Sequence, residues 1–136
     1  MLNKYHVYAM WLLRLTGLLI SLSLLAIFLP KEWMAEIHSD LGLGELPPAP
    51  IVEYLARSLS AMYFAHGVLV LTVSTDVTRY WPIVGVIGVL NVFLGAVFTW
   101  VDLVAPMPWF WTLAEGPPVV IAGVILIWLW VKAHNS

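Results

Sequence analysis

Residues 81–104 read WPIVGVIGVLNVFLGAVFTWVDLV, and from Trp81 to Val101 no charged side chain interrupts the run. A helix rises about 1.5 Å per residue and the hydrocarbon core of a bilayer is about 30 Å thick, so about 20 such residues cross it. This stretch therefore spans a membrane unaided and leaves Asp102 at its outer boundary. Three further runs share its length and character, giving expected spans at about 8–29, 51–73, 81–104 and 108–131.

Composition agrees. The chain is 62% hydrophobic and 10% charged, which excludes an ordinary soluble domain and a disordered one. The expected fold is an all-α integral membrane protein, an antiparallel four-transmembrane-helix bundle with 1–136 as a single domain. A net charge of −2 without a basic stretch gives nucleic-acid binding no electrostatic support. The absence of cysteine removes disulfides, thiol nucleophiles and thiolate metal sites. Lys4 and His6 precede the first apolar run as in a signal peptide. That run ends at Phe28-Leu29-Pro30 without a small-residue cleavage site, so an uncleaved first span is expected.

Lys4, Arg14, Arg79 and Lys132 fall on one side of these spans, and Lys31 and Arg57 on the other. The positive-inside rule then places both termini in the cytoplasm and the protein in the inner membrane. Trp11, Trp81, Trp128 and Trp130 mark the inner interface, and Trp33, Trp100, Trp109 and Trp111 the outer one. In the first outer loop Trp33, Ile37 and Leu41 recur every four residues beside Glu32, Glu36 and Asp40. This pattern predicts a short interfacial helix stopped at Gly42. Before span three, Thr78 is the expected N-cap and Pro82 falls in the first turn.

Seven of the eight acids lie on the outer side. Ser58 to Thr75 holds no acid, lysine or arginine, so Glu53 and Arg57 sit at the outer boundary, four residues apart on one helical face. Gly116 to Val131 is too short to span by about a turn, which draws Glu115 below the surface. Glu53, Arg57, Asp102 and Glu115 thus form an expected outward-facing cluster for a ligand or ion. With three acids against one arginine, the surplus charge calls for a proton or a cation. The alternative is a structural ion-pair layer that closes the top of the helices.

Other polar residues are secondary. Arg14 either snorkels to the headgroups or turns inward to Asp76. Asn91 can bridge helices at mid-membrane, alongside Gly88, Gly95 and Thr99 on one face of span three. That small face serves helix packing, including a homo-oligomer through Gly88 and Gly95. Gly17, Ser21, Ser60 and Gly67 supply similar faces on spans one and two. Gly116-Pro117-Pro118 strips the helical donors from the carbonyls of Leu113 and Ala114, so a bend is expected. His66 stands alone in span two, with His6, His38 and His134 outside the core, so neither haem nor another cofactor nor a metal is expected.

No nucleotide loop, metalloprotease or nucleophile-elbow motif occurs. The residues point to a small membrane protein of binding or accessory type, more readily than to an enzyme. Its outward polar cluster holds a small molecule or lipid, or docks another membrane subunit. A proton- or cation-coupled transporter is the alternative. Behind it stands an intramembrane acid–base enzyme on a lipophilic substrate, with Glu115 as acid and Asp102 as base.

Overall fold

The structure, a computed structural model, describes residues 3–135, and all regular structure among them is helical. The elements are α1 (Lys4–Ser21), α2 (Ser23–Ile27), α3 (Lys31–Asp40), α4 (Pro50–Thr75), α5 (Trp81–Val104) and α6 (Trp109–His134). Four stretches, Lys4–Ile27, Pro50–Thr75, Trp81–Val104 and Trp109–His134, are long and apolar enough to cross a membrane. The chain divides into two compact units, Met1–Arg14 with Thr72–Ser136, and Leu15–Leu71.

In the first unit α5 packs antiparallel on α6 along a seam of small residues. Gly88 lies against Gly123 and Ile127, Gly95 against Gly116 and Val120, and Gly85 against the Trp130 ring. The contacting residues on α5 (88, 92, 95, 99) and on α6 (116, 120, 123, 127) alternate in steps of three and four. This is the spacing of a left-handed helix pair. A Cβ at Gly123 would stand 2.6 Å from the Gly88 carbonyl oxygen and 2.7 Å from the Val92 nitrogen, both backbone atoms. Only glycine permits that approach. The face expected to serve a homo-oligomer, Gly88 and Gly95, is thus occupied within the chain. Ala9, Leu13, Val77, Val84, Leu126 and Leu129 form the buried apolar core of this unit.

One local expectation is corrected here. Tyr80, not Thr78, occupies the N-cap of α5, without a side-chain cap bond. The turn before it is tied instead by Asp76, whose Oδ1 accepts the Arg79 backbone N–H at 3.1 Å. His6 is half-buried near the start of α1 and packs edge-on against Trp81 with ring centroids 4.2 Å apart. Pro82 does fall in the first turn, and α6 continues as helix through Pro117 and Pro118.

In the second unit Gly67 of α4 meets Gly17 and Ser21 of α1. The Ser21 hydroxyl donates back to the Gly17 carbonyl at 2.7 Å, a bond that competes with helix continuation. The helix breaks at Leu22, one residue on. The helix α3 ends as the sequence pattern requires: Gly42, at φ +74°, donates to Ser39, and Leu43 donates to His38. This paired closure is the Schellman motif.

The seam makes a direct test. Gly123→Ala should lower the thermal stability of the full chain in detergent by about 1–3 kcal/mol, because the added methyl meets backbone rather than a flexible side chain. Val124→Ala, at an exposed neighbour, should change it little. Equal melting of Gly123→Ala and the parent chain would refute the close approach.

Candidate binding site

The four residues of the expected outer cluster form two pairs, one in each unit. Glu53 and Arg57 make the pair in Leu15–Leu71. Arg57 Nη2 lies 2.9 Å from Glu53 Oε1, and Arg57 Nε donates to the same oxygen at 3.1 Å. The spacing of four residues on α4 dictates this contact. Lys31, the first residue of α3, also reaches Glu53, at 3.9 Å.

Arg57 has a second task that the sequence pattern does not reveal. Its Nη1 donates to the Ile27 carbonyl, and its Nη2 donates to the Leu29 carbonyl at 3.1 Å. These carbonyls belong to the end of the first apolar stretch, where helical donors run out. One guanidinium thus closes a helix end and pairs with an acid. The geometry accounts for both and engages four of the five guanidinium N–H donors.

Asp102 and Glu115 make the pair in the other unit. Asp102 lies in the last turn of α5, and Glu115 in the second turn of α6 beside Gly116. The turn between these helices is held by Ala105 donating to Val101 and Met107 donating to Asp102, at 2.8 and 2.9 Å. The contact of Gly116 with Thr99 lies one turn below, so the seam brings the two carboxyls together. They stand within hydrogen-bonding and electrostatic range of each other.

Their surroundings differ. The Trp111 indole N–H donates to Glu115 Oε2 at 2.6 Å, while Asp102 is only 5% exposed and its Oδ2 is buried without a hydrogen-bond partner. Every ion pair among the described residues falls on Glu53. Asp102 and Glu115 therefore have no cationic side chain as a partner. A buried carboxylate oxygen without a donor is a costly arrangement, and a proton shared with Glu115 relieves it. An open recess of about 290 Å³, lined by Trp111, Ala114 and Glu115, lies on the Glu115 side.

Sequence reading assigned Trp111 only to the outer aromatic belt. The available signal was its spacing of four residues before Glu115, which puts the indole N–H within reach of the carboxylate. Among the secondary residues, Arg14 lies over the Trp11 ring at 5.3 Å and Asp76 serves the Arg79 turn, so they form no ion pair with each other. Asn91 and His66 are half-buried on α5 and α4.

A larger recess of about 340 Å³ near the other end of the α5–α6 seam is bounded by Pro82, Val86, Leu90 and Trp130. Its lining is almost wholly apolar, and the indole nitrogen of Trp130 on its wall is buried without a hydrogen-bond partner. No known protein family, curated protein or solved structure matches the chain.

The two roles of Arg57 can be separated. Its pairing with Glu53 is about one-third exposed and is worth about 0–1 kcal/mol, whereas stranding the carbonyls of Ile27 and Leu29 costs about 1–3 kcal/mol. Glu53→Gln should therefore melt close to the parent chain and Arg57→Ala well below it. Equal losses in the two variants would show that the ion pair, not the carbonyl closure, is what Arg57 contributes.

Proposed function

We propose that this is an integral protein of the inner membrane, crossing it four times with both termini cytoplasmic. It acts by binding, as a receptor or accessory subunit, with the Asp102–Glu115 pair as its binding element. The length and apolarity of four stretches support membrane insertion, as does the exposure of large apolar side chains such as Phe28 and Trp109. In this setting α3 lies in the outer interface with Trp33 and Ile37 turned to lipid.

The single observation that carries the binding role is the buried Asp102 carboxyl close to a second carboxyl, Glu115, which itself lines an open recess. Ionisable groups at membrane depth are expensive and are kept where they act. Binding is favoured over transport because the α5–α6 seam beneath the pair is closed by backbone contact. Thr99 donates to the Gly95 carbonyl at 2.8 Å, and Gly95 meets Gly116.

Two measurements check this reading. The chain has no cysteine, so Ser39→Cys and Thr78→Cys each create a single reactive site. An impermeant maleimide applied to intact cells should label Ser39→Cys and spare Thr78→Cys; the reverse pattern would invert the topology. For the binding role, native mass spectrometry of the purified full chain should show a retained small molecule or lipid. Asp102→Asn should reduce its occupancy by about tenfold or more, the loss of about one charge-assisted hydrogen bond. Undiminished occupancy would remove Asp102 from the site.

A further inference from the structure

We propose that the apolar recess at the Pro82–Trp130 end of the α5–α6 seam takes an anionic phospholipid of the inner leaflet. An acyl chain lies in the recess, and the phosphate is held by Arg79. The inference rests on the four-span reading with cytoplasmic termini. It does not rest on Asp102 and Glu115, which lie at the opposite end of the seam.

The recess runs in the direction an acyl chain needs. Pro82, Val86, Val89 and Leu90 form its α5 wall, and their spacing puts them in one stripe along the helix. From Pro82 to Leu90 that stripe extends about 12 Å from the interface toward mid-membrane. Ile127 and Trp130 of α6 complete the walls around about 340 Å³ of space. Gly85 makes the slot possible. A Cβ there would stand 2.9 Å from the Trp130 indole, so only a glycine lets that ring settle against α5. The indole nitrogen lies against Gly85 and takes no part in the site. Val86, Val89 and Leu90 are about half exposed, so the slot opens to lipid.

The end of the slot nearest the cytoplasm is cationic. Arg79 lies one turn before Pro82, and its backbone N–H donates to Asp76. Its guanidinium lies 5.6 Å from the centroid of the Tyr80 ring and enters no ion pair among the described residues. The ring contact of Tyr5 with Trp128 brings the start of α1 to the end of α6, and so Lys4 and Lys132 to the same end. Three cationic side chains there face one acidic one, Asp76. A guanidinium presents a planar fork that fits two phosphate oxygens.

Slot and charge together select the occupant. A soluble anion answers the charge and leaves the slot unfilled. A zwitterionic lipid fills the slot but brings an ammonium group to a cationic end. A lipid with net negative charge on its headgroup satisfies both. A second copy of the chain, related by a two-fold axis along the membrane normal, would bring its own Arg79 to this end, like charge against like.

The test uses the purified full chain with phosphatidylglycerol, phosphatidylethanolamine and phosphatidylcholine of matched acyl chains, read by native mass spectrometry and thermal shift. Phosphatidylglycerol should bind about fivefold or more tighter than the other two. Arg79→Gln should remove most of that preference. Lys132→Gln should keep most of it, since Lys132 falls on the opposite face of α6 from Trp130. Val89→Trp, which fills the slot, should lower retention of all three lipids. The comparison of lipids on the parent chain decides the matter even where a variant fails to fold.

Equal binding of the three lipids would overturn the proposal. So would equal losses in Arg79→Gln and Lys132→Gln, the mark of diffuse surface charge. Glycerol phosphate competing as well as the whole lipid would show that the slot is not used. A dimer whose formation Val89→Trp abolishes would assign the slot to a second copy instead. The Asp102→Asn occupancy measurement concerns the other end of the seam, so the two readings stand or fall separately.

Discussion

The backbone-to-backbone approach of α5 and α6 fixes the positions of Asp102 and Glu115. Helices in hydrocarbon gain nothing from hiding apolar side chains from one another, because lipid tails are equally apolar. What remains is van der Waals contact, which is largest where side chains are smallest. Gly88, Gly95, Gly116 and Gly123 supply that contact, and their carbonyls lie where a Cβ would have to go. With the helices held so closely and joined by a short turn, Asp102 and Glu115 have little freedom to separate.

The two acidic pairs show how one residue type serves two ends. Glu53 is answered by Arg57 and Lys31, and Arg57 also supplies the donors that the carbonyls of Ile27 and Leu29 need. That arrangement engages four of the five N–H donors of the guanidinium. Asp102 and Glu115 are answered only in part, by the Trp111 indole. The contrast follows from position: Arg57 lies four residues from its acid on one helix, while Asp102 and Glu115 meet across a seam that contains no cation.

Much of this was legible in the sequence. The apolar runs gave the helices, and α5 begins and ends at the residues expected, because an uninterrupted run bounded by Pro82 and Asp102 leaves little choice. The short helix α3 and its stop at Gly42 followed from a four-residue repeat and a glycine. Helix-start chemistry was less legible, since Asp76 and Thr78 are both suitable caps and only the turn geometry chooses between them. The partners of Arg57 were out of reach, because backbone carbonyls about 30 residues away leave no residue-type signal. Gly88 and Gly95 mark a small face in the sequence, but whether that face meets another helix of the same chain or a second copy depends on tertiary packing.

The most direct measure of the central claim is a double-mutant cycle on Asp102 and Glu115. The free energy of unfolding of the full chain in mixed micelles would be compared for the parent, Asp102→Asn, Glu115→Gln and the double variant. Two carboxyls in direct contact should give a coupling of at least about 0.5 kcal/mol, since removing either charge relieves the same repulsion. Strictly additive effects would mean that the two groups do not meet, and the site built on their contact would not exist.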